Sequence, residues 1–338
     1  MFLVVYYHVL ICTFRTSPNI WSINDIFVTF RMPLFFFLSG FLMYKANRFN
    51  SLSSLYKFIQ RKAKVQLIPT LIFSLLFAFL MTISYKALLL DRFKGGYWFT
   101  YTLFFYFGIY AIGDFFISKW AKGIVKTILG LIISTLIFAA AKYAVVSSCP
   151  WFNSDVINII GIPNFQFFGF FFFGALTRAH FKSVERLLEQ QKFITVIIVG
   201  FILLQLILQV PVSKDYFFSH NLHFVYTLFQ SFTGFIGIIA VFIFFRKNEA
   251  MISNSRIGIF FKYIGVRTLD IYLIHLFFVY TNMHFIGAFL ENNFSLVSEL
   301  LLGSIVTLLI IGLCLLISQF IRSSDTLAKL LFGKVISE

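Results

Sequence analysis

Two ionisable side chains lie inside the first two apolar segments of this 338-residue chain. His8 lies within residues 1–14, and Arg31 lies within residues 26–46, shortly before Pro33 and a Ser39-Gly40 pair. An arginine at membrane depth costs about 2.5–3.5 kcal/mol on insertion scales, so it normally faces a protein interior or a water-filled cavity. An imidazole titrates near neutral pH and can accept or donate a proton. Together they predict a polar site inside a membrane bundle, with structural roles that tie helices together as the alternative.

A second histidine, His275, lies well inside a later apolar segment. Asp270 precedes it by five residues in the inner part of the same segment, and no nearby loop accounts for that carboxylate. A buried carboxylate at membrane depth needs a partner, so we expect Asp270 to pair with a cation such as Arg267 or with a residue of another helix. His275 has the same two interpretations as His8, a functional imidazole or a histidine hydrogen-bonded across the bundle.

A basic cluster, Arg61-Lys62-Ala63-Lys64, lies just ahead of Pro69. Three cations at the start of a membrane helix can hold the phosphates of a ligand. They can equally be ordinary determinants of membrane topology, and spacing alone favours the topological interpretation.

The composition excludes an ordinary soluble protein. Apolar residues make up 59% of the chain and charged residues only 12%, against about 25% charged in typical soluble domains. The net charge of +15 comes from lysines and arginines spread through the gaps between apolar runs, which argues against a nucleic-acid-binding surface. The sequence therefore predicts an integral membrane protein.

Ten apolar segments are predicted to form about ten transmembrane helices in one all-α bundle. They are residues 1–14, 26–46, 66–85, 98–118, 124–146, 164–181, 193–212, 222–245, 262–286 and 298–321. The first is short, since fourteen residues rise only about 21 Å, and we expect the amino terminus to be incomplete. Residues 47–65 are amphipathic and predict an interfacial helix.

The distribution of positive charge predicts the orientation. Alternate gaps, with the helix ends that border them, hold twenty-one of the 28 lysines and arginines, against six in the other gaps. Positively charged loops stay in the cytoplasm, so both termini are predicted to be cytoplasmic. The three cysteines show no Cys-x-x-Cys spacing, and no metal site is predicted.

Five sequence blocks follow one another along the chain: VVYYH at 4–8, FRMPLFFFLSGF at 30–41, LIP at 67–69 after the basic cluster, YWF at 97–99 and IGVRTLDIYLIH at 264–275. In this order and with ten apolar segments, the chain resembles the acyltransferase 3 family of bacterial integral membrane acyltransferases. The resemblance covers nearly the full chain and implies a single acyltransferase domain over residues 1–338. It implies a multi-pass enzyme of the cytoplasmic (inner) membrane that transfers acetyl, or another short acyl group, from cytoplasmic acyl-CoA to a sugar hydroxyl of an envelope glycan or glycolipid.

The resemblance also implies roles for individual residues. His8 is expected to act as general base on the acceptor hydroxyl or to carry the acyl group transiently. The expected acyl-CoA-binding residues are Arg61, Lys62 and Lys64. The substrate- or oxyanion-binding residues are expected to be Arg31, Ser39 and Trp98, and the supporting residues Asp270, Tyr272 and His275.

The sequence departs from the family pattern at two places. The family's first-span arginine would precede Met1, and its Arg-x-x-Arg pair before the third-span proline falls on Lys62 and Val65, with Arg61 and Lys64 at the same spacing one residue earlier. A glycolipid or polysaccharide transporter or flippase is the main alternative, because intramembrane Arg, His and Asp suit a transport cavity equally well. A non-catalytic assembly partner is a third interpretation.

Overall fold

The chain is helical throughout the part that a computed structural model describes, which comprises residues 1–16, 22–146, 155–209, 217, 219–220, 222–293 and 295–333. Helices account for 86% of the structure, and the described residues contain no strand. This confirms the predicted all-α class. The α-helices are α1 Phe2–His8, α2 Ile23–Met43, α3 Leu52–Lys62, α4 Ile68–Leu80, α5 Tyr85–Leu90, α6 Trp98–Trp120, α7 Gly123–Val146, α8 Asp155–Ile160, α9 Phe168–Ala179, α10 Phe181–Leu188, α11 Gln191–Gln209, α12 His223–Lys247, α13 Glu249–Ser253, α14 Arg256–Val266, α15 Thr268–Ile274, α16 Leu276–Val279, α17 His284–Asn292, α18 Leu296–Arg322 and α19 Asp325–Phe332.

Within the described residues, four short helical segments of other types join these α-helices. Val9–Phe14 and Ala63–Leu67 are π-helical, and Lys94–Gly96 and Ile162–Phe167 are 3₁₀-helical. The π-helix Val9–Phe14 directly continues α1. Single π-helical turns are frequent at functional sites in other proteins, so the junction between α1 and Val9–Phe14 is a candidate position for such a site.

The described residues do not confirm the predicted number of ten membrane-crossing helices. Among the described residues, seven helices are long and apolar enough to cross a bilayer, or eight if one bent pair forms a single span. The predicted first and sixth spans are short: the apolar helix Phe2–Phe14 has 13 residues across its α and π parts, and α9 has 12. The predicted ninth span is broken, because the Thr268–Val279 run and α17 meet at 83°.

The predicted third span begins earlier than expected. The helical run is continuous over 29 residues, Leu52–Leu80. The helix predicted at the interface, residues 47–65, therefore corresponds to α3 and continues directly into the predicted third span. The apolar residues of α3 lie on two faces: Leu55 and Phe58 are buried in protein, whereas Leu52 and Tyr56 are exposed. A Ser51–Ser54 capping box begins this run by satisfying the first free backbone amides.

The chain forms two compact units, each assembled from segments far apart in sequence. The first unit comprises Met1–Val28, Ile68–Ile83 and Lys247–Glu338, and the second comprises Thr29–Leu67 and Ser84–Arg246. Within the first unit, α1 packs along α18, and α15 packs against both α4 and α18. Within the second unit, α7 packs on α9 and on the 3₁₀ segment before it, and α3 packs on α6.

Two glycines allow α2 and α9 to cross at close range in the second unit. A Cβ atom added to Gly40 of α2 would lie 1.9 Å from the carbonyl oxygen of Phe171 in α9, and one added to Gly174 of α9 would lie 1.9 Å from that of Phe37. Such close backbone approach between membrane helices requires small residues. Gly40 of the Ser39-Gly40 pair therefore serves helix packing.

Candidate active site

The structure brings His8 and His275 together in the first unit. Their ring centroids are 5.3 Å apart with planes tilted by 52°. Tyr7 lies edge-on to His8 at 5.3 Å, and Tyr272 is 5.7 Å from His275. Two imidazoles that are 267 residues apart in sequence thus form the centre of the candidate site.

Helix geometry positions each histidine. His8 ends α1 where the backbone turns π-helical, and His275 joins α15 to α16. The hydroxyl of Thr13 donates to the carbonyl of Val279 at 2.6 Å, and the amide of Met283 donates to the carbonyl of Thr13 at 3.2 Å. These bonds fasten the π-helical segment that follows His8 to the chain that follows His275.

The backbone fixes the tautomer of His275. Its Nδ1 lies 2.8 Å from the carbonyl oxygen of Tyr272 and 3.1 Å from that of Ile271. Carbonyl oxygens only accept hydrogen bonds, so Nδ1 carries the proton. In a neutral ring Nε2 is then the acceptor, and it has no hydrogen-bond partner among the described residues.

The two imidazoles differ in exposure. His275 is completely buried, whereas His8 is only partly buried. A reacting group must reach its substrate, while an orienting group is better enclosed. This difference favours His8 as the ring that meets substrate and His275 as the ring behind it.

A buried polar cluster that the sequence analysis missed anchors α1. The Tyr6 hydroxyl donates to Glu299 Oε1 at 3.2 Å, and the Ser22 hydroxyl donates to the same oxygen at 2.7 Å. Glu299, in α18, is only 4% exposed. Gly303, one turn later, leaves room for the Tyr6 ring, which a Cβ there would meet at 2.6 Å. The available signal was a lone carboxylate at the start of the last apolar segment.

Asp270 pairs with a residue of another helix, one of the two alternatives expected. It accepts hydrogen bonds from Arg322 Nε and Nη2 at 2.7 Å each and from the Ser318 hydroxyl at 2.6 Å, all from α18. Arg267 does not replace Arg322 but donates to the Ser318 oxygen at 3.2 Å. This buried network joins α15 to α18 and supports the helix that carries His275.

The expected acceptor-binding residues lie in the second unit. Arg31 is 6% exposed, so its guanidinium does not face lipid. The Ser39 hydroxyl donates to the carbonyl of Phe35 in its own helix at 2.8 Å. Trp98 begins α6 in an aromatic cluster with Phe36 and Phe167, at 6.0 and 5.7 Å between ring centroids.

The basic cluster also lies in the second unit, and its members are not equivalent. Arg61 and Lys64 are exposed, whereas the Lys62 ammonium lies 3.6 Å from the centroid of the Phe107 ring. Arg48, which the sequence analysis used only for topology, adds a fourth cation. Burial, and then the Arg61 charge, lower the pKa of Arg48, and its guanidinium lies 4.6 Å from the Phe58 ring. Neighbouring like charges of this kind are a feature of anion sites.

The described residues contain no cluster of three or more His, Cys, Asp or Glu side chains suited to a metal ion. The long apolar helices indicate a multi-pass membrane protein, and the two imidazoles lie together in its first unit.

Comparison with known families then gives the class of reaction. A family model described as Acyltransferase domain, Acyl_transf_3, matches residues 1–319. The chain therefore belongs to the acyltransferase 3 family, as the sequence blocks predicted, and the match includes both histidines. No curated protein and no solved structure shows significant similarity to it.

Proposed function

We propose that this protein is a membrane O-acyltransferase that moves acetyl, or another short acyl group, from cytoplasmic acyl-CoA to a sugar hydroxyl of an envelope glycan or glycolipid. Family membership supports acyl transfer. The observation that carries the assignment of the chemistry is the His8–His275 pair, in which one ring has a fixed tautomer and the other is accessible.

His8 acts as the general base in this proposal. Its neutral imidazole takes the proton of the acceptor hydroxyl while the hydroxyl oxygen bonds to the thioester carbonyl carbon. The carbon–sulfur bond then breaks, and the coenzyme A thiolate leaves with the proton that His8 returns. General-base assistance contributes about 10² to 10⁴ in rate. Transient attachment of the acyl group to His8 is the alternative chemistry at the same ring.

His275 acts as a positioning residue. Its Nε2 can accept a hydrogen bond from an imidazole N–H, and His8 is the neighbouring ring. An accepted bond of that kind would select the tautomer of His8 and stabilise the imidazolium that forms during proton transfer. Asp270 and Tyr272 support this role, Asp270 by fastening α15 to α18 and Tyr272 through its carbonyl bond to Nδ1.

Arg61 and Lys64 bind the phosphates of acyl-CoA, since both are exposed cations in a locally positive region. Lys62 contributes charge from its position beside Phe107. We expect the Arg61→Gln and Lys64→Gln variants to raise KM for acyl-CoA with a smaller change in kcat. Lys182→Gln, an exposed lysine of α10, is the matched control and should leave KM unchanged.

The proposed residues for binding the acceptor or the oxyanion are Arg31 and Ser39 of α2 and Trp98 at the start of α6. A guanidinium can hold a sugar hydroxyl or stabilise the developing oxyanion. Arg31→Lys keeps the charge but loses the planar set of donors, so it separates these geometric roles from a purely electrostatic one.

The test supplies purified protein in lipid nanodiscs with labelled acetyl-CoA and isolated envelope glycans and glycolipids. The proposal predicts label in the carbohydrate fraction, released by mild base as expected for an ester. No label in any acceptor, together with protein-dependent movement of a fluorescent glycolipid across the bilayer, would instead support transport.

A further inference from the structure

The second unit contains a cavity of about 560 Å³ that the proposed reaction does not use. Helices α6, α7 and α9 and residues 44–47 after α2 line it. Its volume lies within the range of about 300–1,000 Å³ usual for small-molecule sites. None of the proposed catalytic, acceptor-binding or acyl-CoA-binding residues belongs to its lining.

The interior of the cavity is apolar. The apolar lining residues include Ile109 and Ile117 of α6, Ile133 of α7, and Phe172 and Leu176 of α9. Along α7 the lining runs from Gly123 to Ser134, which corresponds to about 16.5 Å at the helical rise of 1.5 Å per residue. An alkyl chain fits such a wall, whereas the amide-rich arm of coenzyme A would leave its polar groups unsatisfied.

One end of the cavity carries the charged side chains of the lining, which are Lys45, Lys126 and Asp114. The His180 side chain and Gly123, at the start of the 24-residue helix α7, also line this end. Lys126 forms a 2.7 Å ion pair with Asp114 and a 2.7 Å hydrogen bond to the Ser118 hydroxyl. Lys45 is exposed. A helix amino terminus flanked by lysines attracts an anionic group.

The cavity belongs to helices whose outer surfaces face lipid. Ile112 and Phe116 of α6 are 43% and 53% exposed, and Leu136 of α7 is 63% exposed. Large exposed apolar side chains on apolar helices of this length are expected to contact acyl chains. The charged end is also the end that the positive-inside rule places in the cytoplasm, where the leaflet is rich in anionic lipids.

From the one-sided charge and the apolar interior, we propose that this cavity binds an anionic phospholipid of the inner leaflet. One acyl chain occupies the space between α6, α7 and α9, and the phosphate lies against Lys45 and the amino end of α7. The inference is independent of the acyl-transfer chemistry.

Gly113 provides the sharpest test. It lines the cavity, and a Cβ built on it meets no atom within 4 Å, so Gly113→Leu fills the space that the acyl chain would take. Gly108 lies on the same helix, also has open space around its added Cβ, and does not line the cavity. Gly108→Leu therefore controls for the change in helix propensity.

The experiment uses the full chain in detergent with phosphatidylglycerol that carries a photoreactive diazirine in one acyl chain. We expect crosslinks on α6, α7 and α9 in wild type, at least a tenfold loss in Gly113→Leu, and no loss in Gly108→Leu. Phosphatidylcholine should compete at least fivefold less well than phosphatidylglycerol, and Lys45→Glu should weaken labelling. Wild-type crosslinks confined to other helices would overturn the proposal, and this readout does not depend on how the leucine variants fold. Equal competition by the two lipids would overturn the proposed headgroup contact.

Discussion

Replacement of Asp270 by asparagine should strongly destabilise the first unit. The Asp270 side chain is 3% exposed and that of Arg322 is 8% exposed. The carboxylate accepts three hydrogen bonds, two from Arg322 and one from Ser318. The variant keeps the shape of the side chain but turns an NH₂ group toward donors and leaves a buried guanidinium without its counter-charge. Removal of one partner from a buried pair costs about 3–5 kcal/mol.

A double-mutant cycle separates the pair from its surroundings. Asp270→Leu, Arg322→Met and the double variant Asp270→Leu/Arg322→Met form the cycle. They are purified in detergent together with Asp270→Asn, and their free energies of unfolding are measured by denaturant titration. The double variant should be less destabilised than the sum of its singles by about 1–3 kcal/mol, because neither charge is left alone. If Asp270→Asn unfolds within about 0.5 kcal/mol of wild type, the network does not hold α15 to α18, and the reasoning is refuted.

Three further predictions follow from other contacts. Gly40→Ala and Gly174→Ala should each lower the free energy of unfolding by at least about 1–3 kcal/mol, because each added methyl group meets a backbone carbonyl oxygen at 1.9 Å. The control Gly108→Ala has open space around the added methyl group and should cost less than about 1 kcal/mol. Burial lowers the pKa of Lys94 to about 8, against 10.5 in an unfolded chain. Between these pH values the unfolded state binds more protons than the folded state, so the Lys94 contribution to stability should increase as pH rises from about 8 to 10.5. The thermal midpoint of wild type should show this increase relative to that of Lys94→Met. His275→Asn retains a donor near the position of Nδ1 but lacks Nε2, so it should lower kcat by about 10²-fold with KM little changed, and a kcat equal to wild type would contradict the positioning role.

Composition and periodicity were sufficient to predict the class of fold. Long apolar runs predict helices that cross a bilayer, and basic gaps predict the side of the membrane that each gap faces, because both follow from the physics of lipid. Intramembrane His8, His275 and Asp270 were recognisable for the same reason, since ionisable groups at that depth require an interior setting. The predicted number of spans is not confirmed among the described residues, because hydropathy does not reveal the π-helical segment after α1 or the bend after α16.

Pairings between distant segments were not predictable. The sequence gives no register between α1 and α18, so the Tyr6–Glu299 bond could not be inferred, and Arg322 was one of several cations available to Asp270. The tautomer of His275 depends on backbone carbonyls one turn earlier in its own helix, a contact available to any helical histidine with a suitable rotamer. The cavity near Lys45 depends on how three helices diverge, which periodicity does not describe.

Acyl transfer by the His8→Ala variant tests the central claim most directly. Labelled acetyl-CoA and the envelope acceptor fraction are supplied to wild type, to His8→Ala and to His284→Ala, the last being a histidine elsewhere in the first unit. Thermal midpoints confirm that all three proteins fold. The account predicts that His8→Ala loses about 10² to 10⁴ in rate while His284→Ala stays within about twofold. Equal rates for wild type and His8→Ala would contradict it.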